Sequence, residues 1–447
     1  MSRFVCRGSR LNGMRDGSRL RVSIQTFGCR VNQYESDVMR SRLLSEFELT
    51  ADDPDVVVLN ACTVTALAER KARQAARRMR RLHPSVLVVV IGCLADAVEQ
   101  GTTQFPDADL LAGNSWKPRI AEVIVQTLAG ARGTLSPTPV HSLSDERSRG
   151  PKERIRAFLK IQDGCSRACT YCRTTQVRGA PRSKPIAAVV EEATHLLESG
   201  YPEIVLTGID LAQYSPPGGD LGDAVRELSS LSGLRRLRLA SINPSGITEN
   251  LVSVCADHEV ISPHFHIPLQ SGDGRVLAAM ERGYDIQMYF AAIGRIRARI
   301  PHATFGTDII VGFPGEDDDA FDHTCQIVDA VGFVNIHVFR YSPRRGTQAA
   351  ELPHQVPPEV KRHRSESLIL QWEQGLGKAL DNRISSTQHV LVEEHRDHRW
   401  HGYTHDYLFV KFSSDRHIPI GSIVPVRLTG RIGATLEGVD DHRINTC

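Results

Sequence analysis

AFLKIQDGCSRACTYC, residues 157–172, places three cysteines on one short segment directly after an apolar run. Cys165, Cys169 and Cys172 are near enough in sequence for a single loop to bring their thiolates together. Three thiolates can hold three irons of a four-iron cluster and leave the fourth iron open to a chelating cosubstrate. A zinc site would need a fourth Cys or His close by, and the following residues, RTTQVRGAPR, supply none. The spacing therefore favours an iron-sulfur cluster over zinc.

A second set of cysteines lies within the first hundred residues. Cys29 follows RVSIQTFG, Cys62 follows VVVLNA and Cys93 follows VLVVVIG, so each lies just past the end of a predicted strand. In a parallel sheet these strand ends share one edge, where ligands usually bind. The pattern predicts that the three thiols converge. The alternative is three separately buried cysteines, since Cys is among the most buried residue types.

The chain divides by pattern into three parts, within an α/β fold class. Residues 21–133 alternate short apolar runs with helical stretches, which predicts a parallel βα domain. Residues 134–154 are rich in Pro, Ser and charge and are a predicted linker. A longer βα series over 153–378 predicts a barrel or partial barrel, with its site at the C-terminal strand ends. The short alternating segments of 382–443 predict a small all-β module.

The composition excludes several classes of protein. A chain of 447 residues, 41% hydrophobic and 24% charged, has the length for two or three ordinary globular domains. No stretch approaches the roughly 18 apolar residues of a membrane span, and the first 20 residues lack the apolar core of a secretory signal. We therefore expect a cytoplasmic protein, in which ten cysteines are more typical of metal binding or chemistry than of disulfides. The early Arg and Ser residues are also found in transit peptides, but Asp16 argues against one.

The charge pattern leaves a nucleic-acid partner open. A net charge of +2 does not by itself indicate one. The cations are clustered, however, with seven of them between residues 70 and 81 and shorter runs at 344–345 and 361–364. Each run is either a binding surface for an anionic partner or the solvated face of a helix.

Together these features resemble the methylthiotransferase family of radical S-adenosylmethionine (SAM) enzymes, from residue 21 to near residue 440. The strings that carry the resemblance beside the cysteine motif are FGCRVNQYES (27–36), LNACTVT (59–65), RGAPRS (178–183), LTGIDLAQY (206–214), HFHIPLQSGDGRVLAAMERGYD (264–285), TDIIVGFPGE (307–316) and YSPRRGTQAA (341–350). The family implies a first domain with an auxiliary four-iron cluster, a radical SAM domain, and a TRAM-type β-module that grips RNA. The implied ligands are Cys29, Cys62 and Cys93 for the auxiliary cluster, and Cys165, Cys169 and Cys172 for the catalytic cluster whose open iron is chelated by SAM.

The resemblance also implies an activity. One SAM supplies a methyl group to sulfur, and a second is cleaved to a deoxyadenosyl radical that activates a purine carbon of an adenosine beside a tRNA anticodon. Asn32-Gln33-Tyr34-Glu35 resembles the branch that acts on threonylcarbamoyladenosine. The enzyme alternatives are isopentenyladenosine in tRNA and an aspartate of a ribosomal protein, and the non-enzyme alternative is an RNA-binding protein with structural or vestigial clusters. The implied partners are tRNA and an electron donor such as a flavodoxin or ferredoxin, while the sulfur source stays unidentified.

Further residues are candidates for binding SAM. By resemblance, Tyr171 lies against the adenine, with simple packing as the alternative. The turns that contain Gly208 and Asp210, and the one that ends at Glu316, permit close backbone approach and supply carboxylates for the cationic groups of SAM, although both acids are also typical of helix starts. Ser241 follows the predicted strand RLRLA. The next predicted strand adds His264, His266 and Gln270, for which packing is the commoner explanation.

Candidate RNA contacts combine cations with aromatic residues. Arg344 and Arg345 at the barrel rim, and Lys411 and Arg427 in the β-module, are expected to neutralise phosphates. The nearby aromatic residues are candidates for base stacking, with core packing as the equal alternative; they are Trp400, Tyr403 and Tyr407.

One segment departs from the family pattern. After Cys172 the family commonly has an apolar pair followed by Pro and an aromatic residue, whereas this chain has Arg173-Thr174-Thr175-Gln176. The departure puts in question the local shape beside SAM or the substrate, although all three thiols of the motif remain.

Overall fold

The computed structural model describes residues 19–63, 65–139, 142–149 and 154–442. Most of the predicted amino-terminal extension, parts of the predicted linker and the last residue of the predicted β-module fall outside these ranges. Among the described residues, no helix combines the length and the apolar character needed to cross a membrane.

The chain forms two compact units. Among the described residues, the first unit consists of those up to 149 together with 163–166 and 172–180. The second consists of 154–162, 167–171 and 181–442. The motif loop 165–172 therefore contributes Cys165 and Cys172 to the first unit and Cys169 to the second.

A six-stranded parallel sheet forms the centre of the first unit, as the βα alternation predicts. Its order is β2-β1-β3-β4-β5-β6. The strands are β1 (Arg21–Thr26), β2 (Glu48–Leu49), β3 (Val56–Asn60), β4 (Leu87–Ile91), β5 (Leu110–Ala112) and β6 (Gly133–Thr134). The helices are α1 (Arg30–Leu43), α2 (Ala66–Leu82), α3 (Cys93–Glu99), α4 (Ile120–Leu128) and α5 (Thr174–Arg178).

The central strands of this sheet are apolar on both faces because each face carries its own core. In β3, Val56 and Val58 pack into one core, while Val57 and Leu59 pack into the other. This alternation is the two-residue period of a strand, and burial on both faces explains the unbroken apolar run VVVLN.

Helix α2 shows how the basic run between residues 70 and 81 is accommodated. The Thr65 hydroxyl caps the helix by accepting a hydrogen bond from the amide of Ala68 at 3.2 Å. Its buried residues follow spacings of four and three, so the cations lie on the other face. Three of the seven cations pair with acids at its sides, and these pairs are Arg73–Glu69, Arg77–Asp107 and Arg80–Asp109.

The second unit contains the predicted partial barrel. Two three-stranded parallel sheets, ordered β11-β10-β7 and β12-β13-β14, are linked by a parallel bridge between Leu237 and Ile261. The strands are β7 (Ala157–Lys160), β8 (Gln162–Asp163), β9 (Arg182–Ser183), β10 (Glu203–Thr207), β11 (Arg236–Leu239), β12 (His264–His266), β13 (Thr304–Val311) and β14 (Asn335–Arg340). The helices are α6 (Ile186–Glu198), α7 (Leu221–Ser229), α8 (Glu249–Asp257), α9 (Gly274–Ala279), α10 (Ile286–Arg299), α11 (Asp318–Val331) and α12 (Pro358–Asp381).

The predicted β-module is a closed five-stranded barrel within the second unit. Its strands, in the order β15-β16-β17-β19-β18, are β15 (Thr387–Arg396), β16 (Arg399–Thr404), β17 (Phe409–Ser413), β18 (Ile423–Ile432) and β19 (Thr435–Asp440). Alternate residues such as Val410 and Phe412 fill its interior. Asp397 and His398 both have positive φ, the conformation of a two-residue hairpin turn.

Buried arginines join this barrel to the β10–β11 edge. Arg238 donates to the carboxylate of Glu203 at 2.9 Å and to the carbonyl of Thr404 at 2.8 Å. Arg236 donates to the carbonyl of His389 at 3.1 Å. Burial alone would raise the pKa of Glu203, but its arginine neighbours outweigh burial and lower it, so the carboxylate remains charged.

Replacing Arg238 with leucine is expected to reduce the free energy of unfolding by about 3 kcal/mol, because Glu203 stays buried with less compensating charge. Urea-induced unfolding, followed by circular dichroism, measures the change. Arg235→Leu is the matched control, since Arg235 is exposed one residue before β11. Equal unfolding midpoints for the two variants would show that the buried pair does not stabilise this junction.

Candidate functional site

The first unit brings Cys29, Cys62 and Cys93 to one edge of its sheet. Strands β1, β3 and β4 are adjacent and in register to their last residues. Cys29 occupies the N-cap position of α1, Cys93 begins α3, and Cys62 lies on the connection between β3 and α2. The pairing continues past the strands, since the amide of Leu94 donates to the carbonyl of Ala61 at 3.1 Å. Convergence of the three cysteines was predicted from their positions after strands; their binding to iron stays a prediction.

Gly28 allows the close approach of two of these cysteines. Its φ is +112°, in the region that favours glycine. A Cβ at this position would lie 2.3 Å from Cys62 Cβ and 3.1 Å from Cys62 Sγ. Any larger residue at position 28 would therefore push Cys62 away from Cys29, which directly follows Gly28 in the chain.

The donor set at this edge fits a four-iron cluster. All three cysteines are free thiols, with Cys62 and Cys93 buried and Cys29 exposed. The pKa of the Cys29 thiol is raised, mainly because neighbouring atoms desolvate it. The Arg178 guanidinium lowers this pKa in part, and the nearby Cys93 raises it further. Three soft donors match the thiolate ligands that hold such clusters, and the neighbouring cation favours the thiolate form.

Arg178 is the centre of a buried ion network in the first unit. It donates to Glu35 Oε1 at 2.8 Å, to Asp163 Oδ1 at 2.9 Å and to Asn32 Oδ1 at 2.9 Å. Lys117 also donates to Glu35. Burial would lower the pKa of Arg178, but Cys93 and the two carboxylates outweigh it and raise that pKa. Asn32, Glu35 and Arg178 belong to the family-like strings of the sequence, but those strings do not indicate that the three side chains meet.

The two ends of the motif loop and the departing segment belong to the first unit. The amide of Cys165 donates to the carbonyl of Gly179 at 3.0 Å. Cys172 Sγ lies 3.1 Å from the hydroxyl of Thr174 and accepts from its amide at 3.4 Å. Arg173 is buried and lies 3.4 Å from Thr63 Oγ1, next to Cys62. The departure from the family pattern thus places the Thr174 hydroxyl beside Cys172 and a cation beside Thr63.

In the second unit, Arg282 holds the remaining part of the motif. Its Nη1 lies 3.2 Å from Cys169 Sγ and 3.1 Å from the hydroxyl of Tyr171. Its Nη2 donates to Asn243 Oδ1 at 2.5 Å. The Tyr171 ring meets Phe313 edge to face, with centroids 6.4 Å apart. Sequence reasoning missed Arg282 and Asn243, and contact of Tyr171 with adenine stays a prediction.

Asp210 anchors the motif loop to the barrel. Its carboxylate accepts from Arg167 Nε at 2.6 Å, from Asn243 Nδ2 at 2.8 Å and from Gln213 Nε2 at 2.7 Å. Burial would raise the pKa of Asp210, but Arg167 and the amide donors lower it. Asp210 also caps the short helical turn that follows, which is the helix-start role predicted above as the alternative to SAM binding. Its oxygens are therefore engaged within the protein, where they position Arg167 of the loop.

The other candidates for SAM binding have different surroundings. Gly208 packs closely on Gln162, whose side-chain oxygen accepts from the amides of residues 209 and 210. Ser241 is exposed at the end of β11. Glu316 accepts from the amide of Gly312 at 2.7 Å and from Arg364 at 2.8 Å, and burial raises its pKa against these donors. Glu316 thus closes the turn 312–316, and its contact with SAM stays a prediction.

The candidate RNA contacts lie in the second unit. Arg345 and Arg427 are exposed, whereas Arg344 and Lys411 are half-buried. The aromatic residues are used mainly for packing: Trp400 lies in the barrel core, and Tyr403 stacks on Tyr407 with centroids 4.9 Å apart. Arg238 covers the Tyr407 ring at 4.8 Å. Packing thus accounts for these rings, and the four cations stay predicted contacts.

Gly28→Ala is expected to lower the iron content after anaerobic reconstitution from about eight to about four atoms per chain, because the new Cβ displaces Cys62 from its partners. Iron and acid-labile sulfide analysis measures the loss. Gly101→Ala is the matched control: Gly101 also has positive φ, at +67°, but its Cβ would meet nothing within 4 Å. A full iron content in Gly28→Ala would contradict the close approach as a requirement for this site.

Comparisons with known proteins identify two matching families and a similar fold. Residues 159–328 match the radical SAM superfamily, and residues 21–113 match a family described as Uncharacterized protein family UPF0004. The fold is similar to that of the radical SAM methyltransferase TsrM from Kitasatospora setae, with a TM-score of 0.53 and 16% identity over 74% of this chain and 75% of that one. At this identity the likeness concerns the fold alone.

Two relatives match nearly the whole chain. A tRNA-2-methylthio-N(6)-dimethylallyladenosine synthase from Pelotomaculum thermopropionicum is 34% identical over 433 residues, which cover 93% of this chain and 96% of that one. A threonylcarbamoyladenosine tRNA methylthiotransferase MtaB from Aquifex aeolicus is 31% identical over 399 residues, 86% of this chain and 97% of that one. The resemblance inferred from sequence is confirmed, and the chain belongs to the tRNA methylthiotransferase family of radical SAM enzymes, which use S-adenosylmethionine and two [4Fe-4S] clusters.

Proposed function

We propose that the protein adds a methylthio group to threonylcarbamoyladenosine next to the anticodon of tRNA. The observation that carries this proposal is the convergence of Cys29, Cys62 and Cys93 beside Arg178. Of the four residues that point to this branch, Asn32-Gln33-Tyr34-Glu35, the first and the last bind Arg178 there. Relatives such as the Aquifex aeolicus MtaB support the same substrate.

Six cysteines hold the metal centres in this proposal. Cys29, Cys62 and Cys93 are the ligands of the auxiliary cluster, and Cys165, Cys169 and Cys172 are those of the radical SAM cluster. When bound, SAM would supply the methyl group and the radical, and the clusters would relay the electron from the donor and carry the sulfur. The chain itself supplies the thiolates, orients the motif loop and keeps its buried charges balanced.

A continuous hydrogen-bonded chain in the second unit orients the motif loop. Arg282 donates to Asn243, Asn243 donates to Asp210, and Asp210 also accepts from Arg167. Both ends of this chain touch the loop, at Cys169 through Arg282 and at Arg167 through Asp210. Each member is charged or paired with a charge, and such hydrogen bonds are shorter and stronger than neutral ones. This network fixes the position of Cys169 relative to the β10 and β11 ends.

The proposal also includes a division into domains, contacts with the tRNA and an electron donor. The domain division proposed is 21–133 for the auxiliary-cluster domain, 153–378 for the radical SAM domain and 382–443 for the TRAM-type module. Arg344, Arg345, Lys411 and Arg427 contact the tRNA phosphates. The electron donor is a small redox protein such as a flavodoxin or ferredoxin, and the reaction takes place in the cytoplasm.

A second substrate is favoured by one comparison. The Pelotomaculum thermopropionicum relative, at 34% identity, is named for dimethylallyladenosine, the base called isopentenyladenosine above. Overall identity does not separate the two relatives, so the choice rests on the segment that contains Asn32 and Glu35. The chemistry at the cysteines is the same for either base.

Mass spectrometry of tRNA nucleosides tests the substrate. Deleting the gene is expected to remove methylthio-threonylcarbamoyladenosine, and wild type but not Cys169→Ala is expected to restore it. Cys255→Ala is the control, because Cys255 is a buried cysteine of α8 packed in the barrel core. Loss of methylthio-dimethylallyladenosine instead would overturn the substrate while leaving the chemistry in place.

Arg282→Gln is expected to slow SAM cleavage by about 10- to 100-fold, because residues that hold metal ligands typically have effects of this size. Deoxyadenosine formation by the reconstituted protein measures the rate, and a filter-binding assay measures tRNA affinity, which should not change. Arg299→Gln, at the exposed end of α10, is the control. Unchanged cleavage in Arg282→Gln would show that the network is not needed to orient the loop.

A further inference from the structure

Two histidines and an aspartate meet on the second three-stranded sheet. His266 is the last residue of β12, Asp308 lies in β13 and His337 lies in β14. The parallel register pairs His266 with Gly306, and Asp308 with His337. Because Asp308 is two residues beyond Gly306, the two positions share one face of β13. The register of three strands thus brings three residues that can bind a metal to one place.

Gly306 makes room for the first histidine. A Cβ at this position would lie 3.0 Å from His266 Nδ1 and 3.2 Å from His264 Nε2. Contacts this close are tighter than side chains normally tolerate, so a larger residue would displace the rings. The absence of a side chain at Gly306 therefore allows His266 to direct its other nitrogen, Nε2, at Asp308.

The distances within this triad are those of ligands around a metal ion. Asp308 Oδ1 lies 3.2 Å from His266 Nε2 and 3.0 Å from His337 Nδ1. One ligand atom from each residue lies within 4.8 Å of the others. With metal–ligand bonds of about 2.1 Å, neighbouring ligand atoms are about 3.0 Å apart in octahedral and about 3.4 Å apart in tetrahedral coordination. Small rotations of the side chains would therefore place all three ligand atoms around one metal ion.

An unsatisfied nitrogen independently points to a ligand here. His266 is only 9% exposed, and although its buried Nε2 lies 3.2 Å from Asp308 Oδ1, it has no partner with hydrogen-bond geometry among the residues that the structure describes. A buried polar atom of this kind costs free energy unless something binds it.

We infer that His266, Asp308 and His337, none of which belongs to the cysteine motifs, form a site for one divalent transition-metal ion of the Zn²⁺ or Fe²⁺ class. Two imidazoles and a carboxylate are donors that these ions accept, and three protein ligands leave positions open for water or another oxygen donor. The His337 side chain is 51% exposed, so those positions are accessible from solvent. The rival explanation is a metal-free His–Asp–His triad, in which Asp308 Oδ1 pairs with both rings.

Zinc binding to the fully reconstituted protein tests this site. With both clusters in place, the motif cysteines are occupied and do not compete for the added ion. We expect equilibrium dialysis against Zn²⁺, followed by elemental analysis, to give one zinc per chain in addition to the cluster iron. Asp308→Asn and His337→Ala should each weaken zinc binding by at least about 10-fold, because each removes one of three ligands.

His302→Ala is the matched control, since His302 is exposed in the turn before β13, and it should bind zinc as wild type does. An unchanged iron content in each variant shows that the protein is folded and its clusters are intact. Zinc absent from wild type, or bound equally by wild type and Asp308→Asn, would overturn the site. Absence of zinc also excludes Fe²⁺, because Zn²⁺ binds such ligand sets more tightly.

Discussion

Parallel strands bring their carboxyl ends to a common edge, and this constraint positions most of the chemistry in both units. In the first unit it gathers Cys29, Cys62 and Cys93, whose strands are hydrogen-bonded neighbours. In the second unit Asp210 follows the end of β10 and anchors the motif loop. A helix or a loop between successive strands separates these residues in sequence, but the sheet register decides which of them meet.

Buried arginines are the second recurring feature. Arg178, Arg238 and Arg282 each lie almost fully within the protein and each binds more than one partner. Transfer of a guanidinium out of water is costly unless its donors are satisfied, so each of these residues fixes the positions of its partners. Arg178 and Arg282 do this beside cysteines, where a positive charge also favours thiolate over thiol.

The segment that departs from the family pattern is accommodated without loss of the motif. Thr174 begins α5 and places its hydroxyl and amide beside Cys172 Sγ. Hydrogen bonds to cluster sulfurs are among the interactions that set reduction potential. The sequence signalled that this segment was unusual, but the nature of its replacement contacts emerged only from the fold.

The sequence by itself determined the α/β class, the position of the β-module and the six candidate cysteines through local spacing and periodicity, and it indicated the family through the resemblance of its motif strings. Tertiary structure alone decided the partners of Arg178, the use of Asp210 within the protein, the packing of Trp400 in a core, and the meeting of His266 with Asp308 and His337. Asn32 and Arg178 are 146 residues apart, for example. Contacts over such separations depend on strand register and on which buried charges can be paired, and neither is encoded in the spacing of residues along one segment.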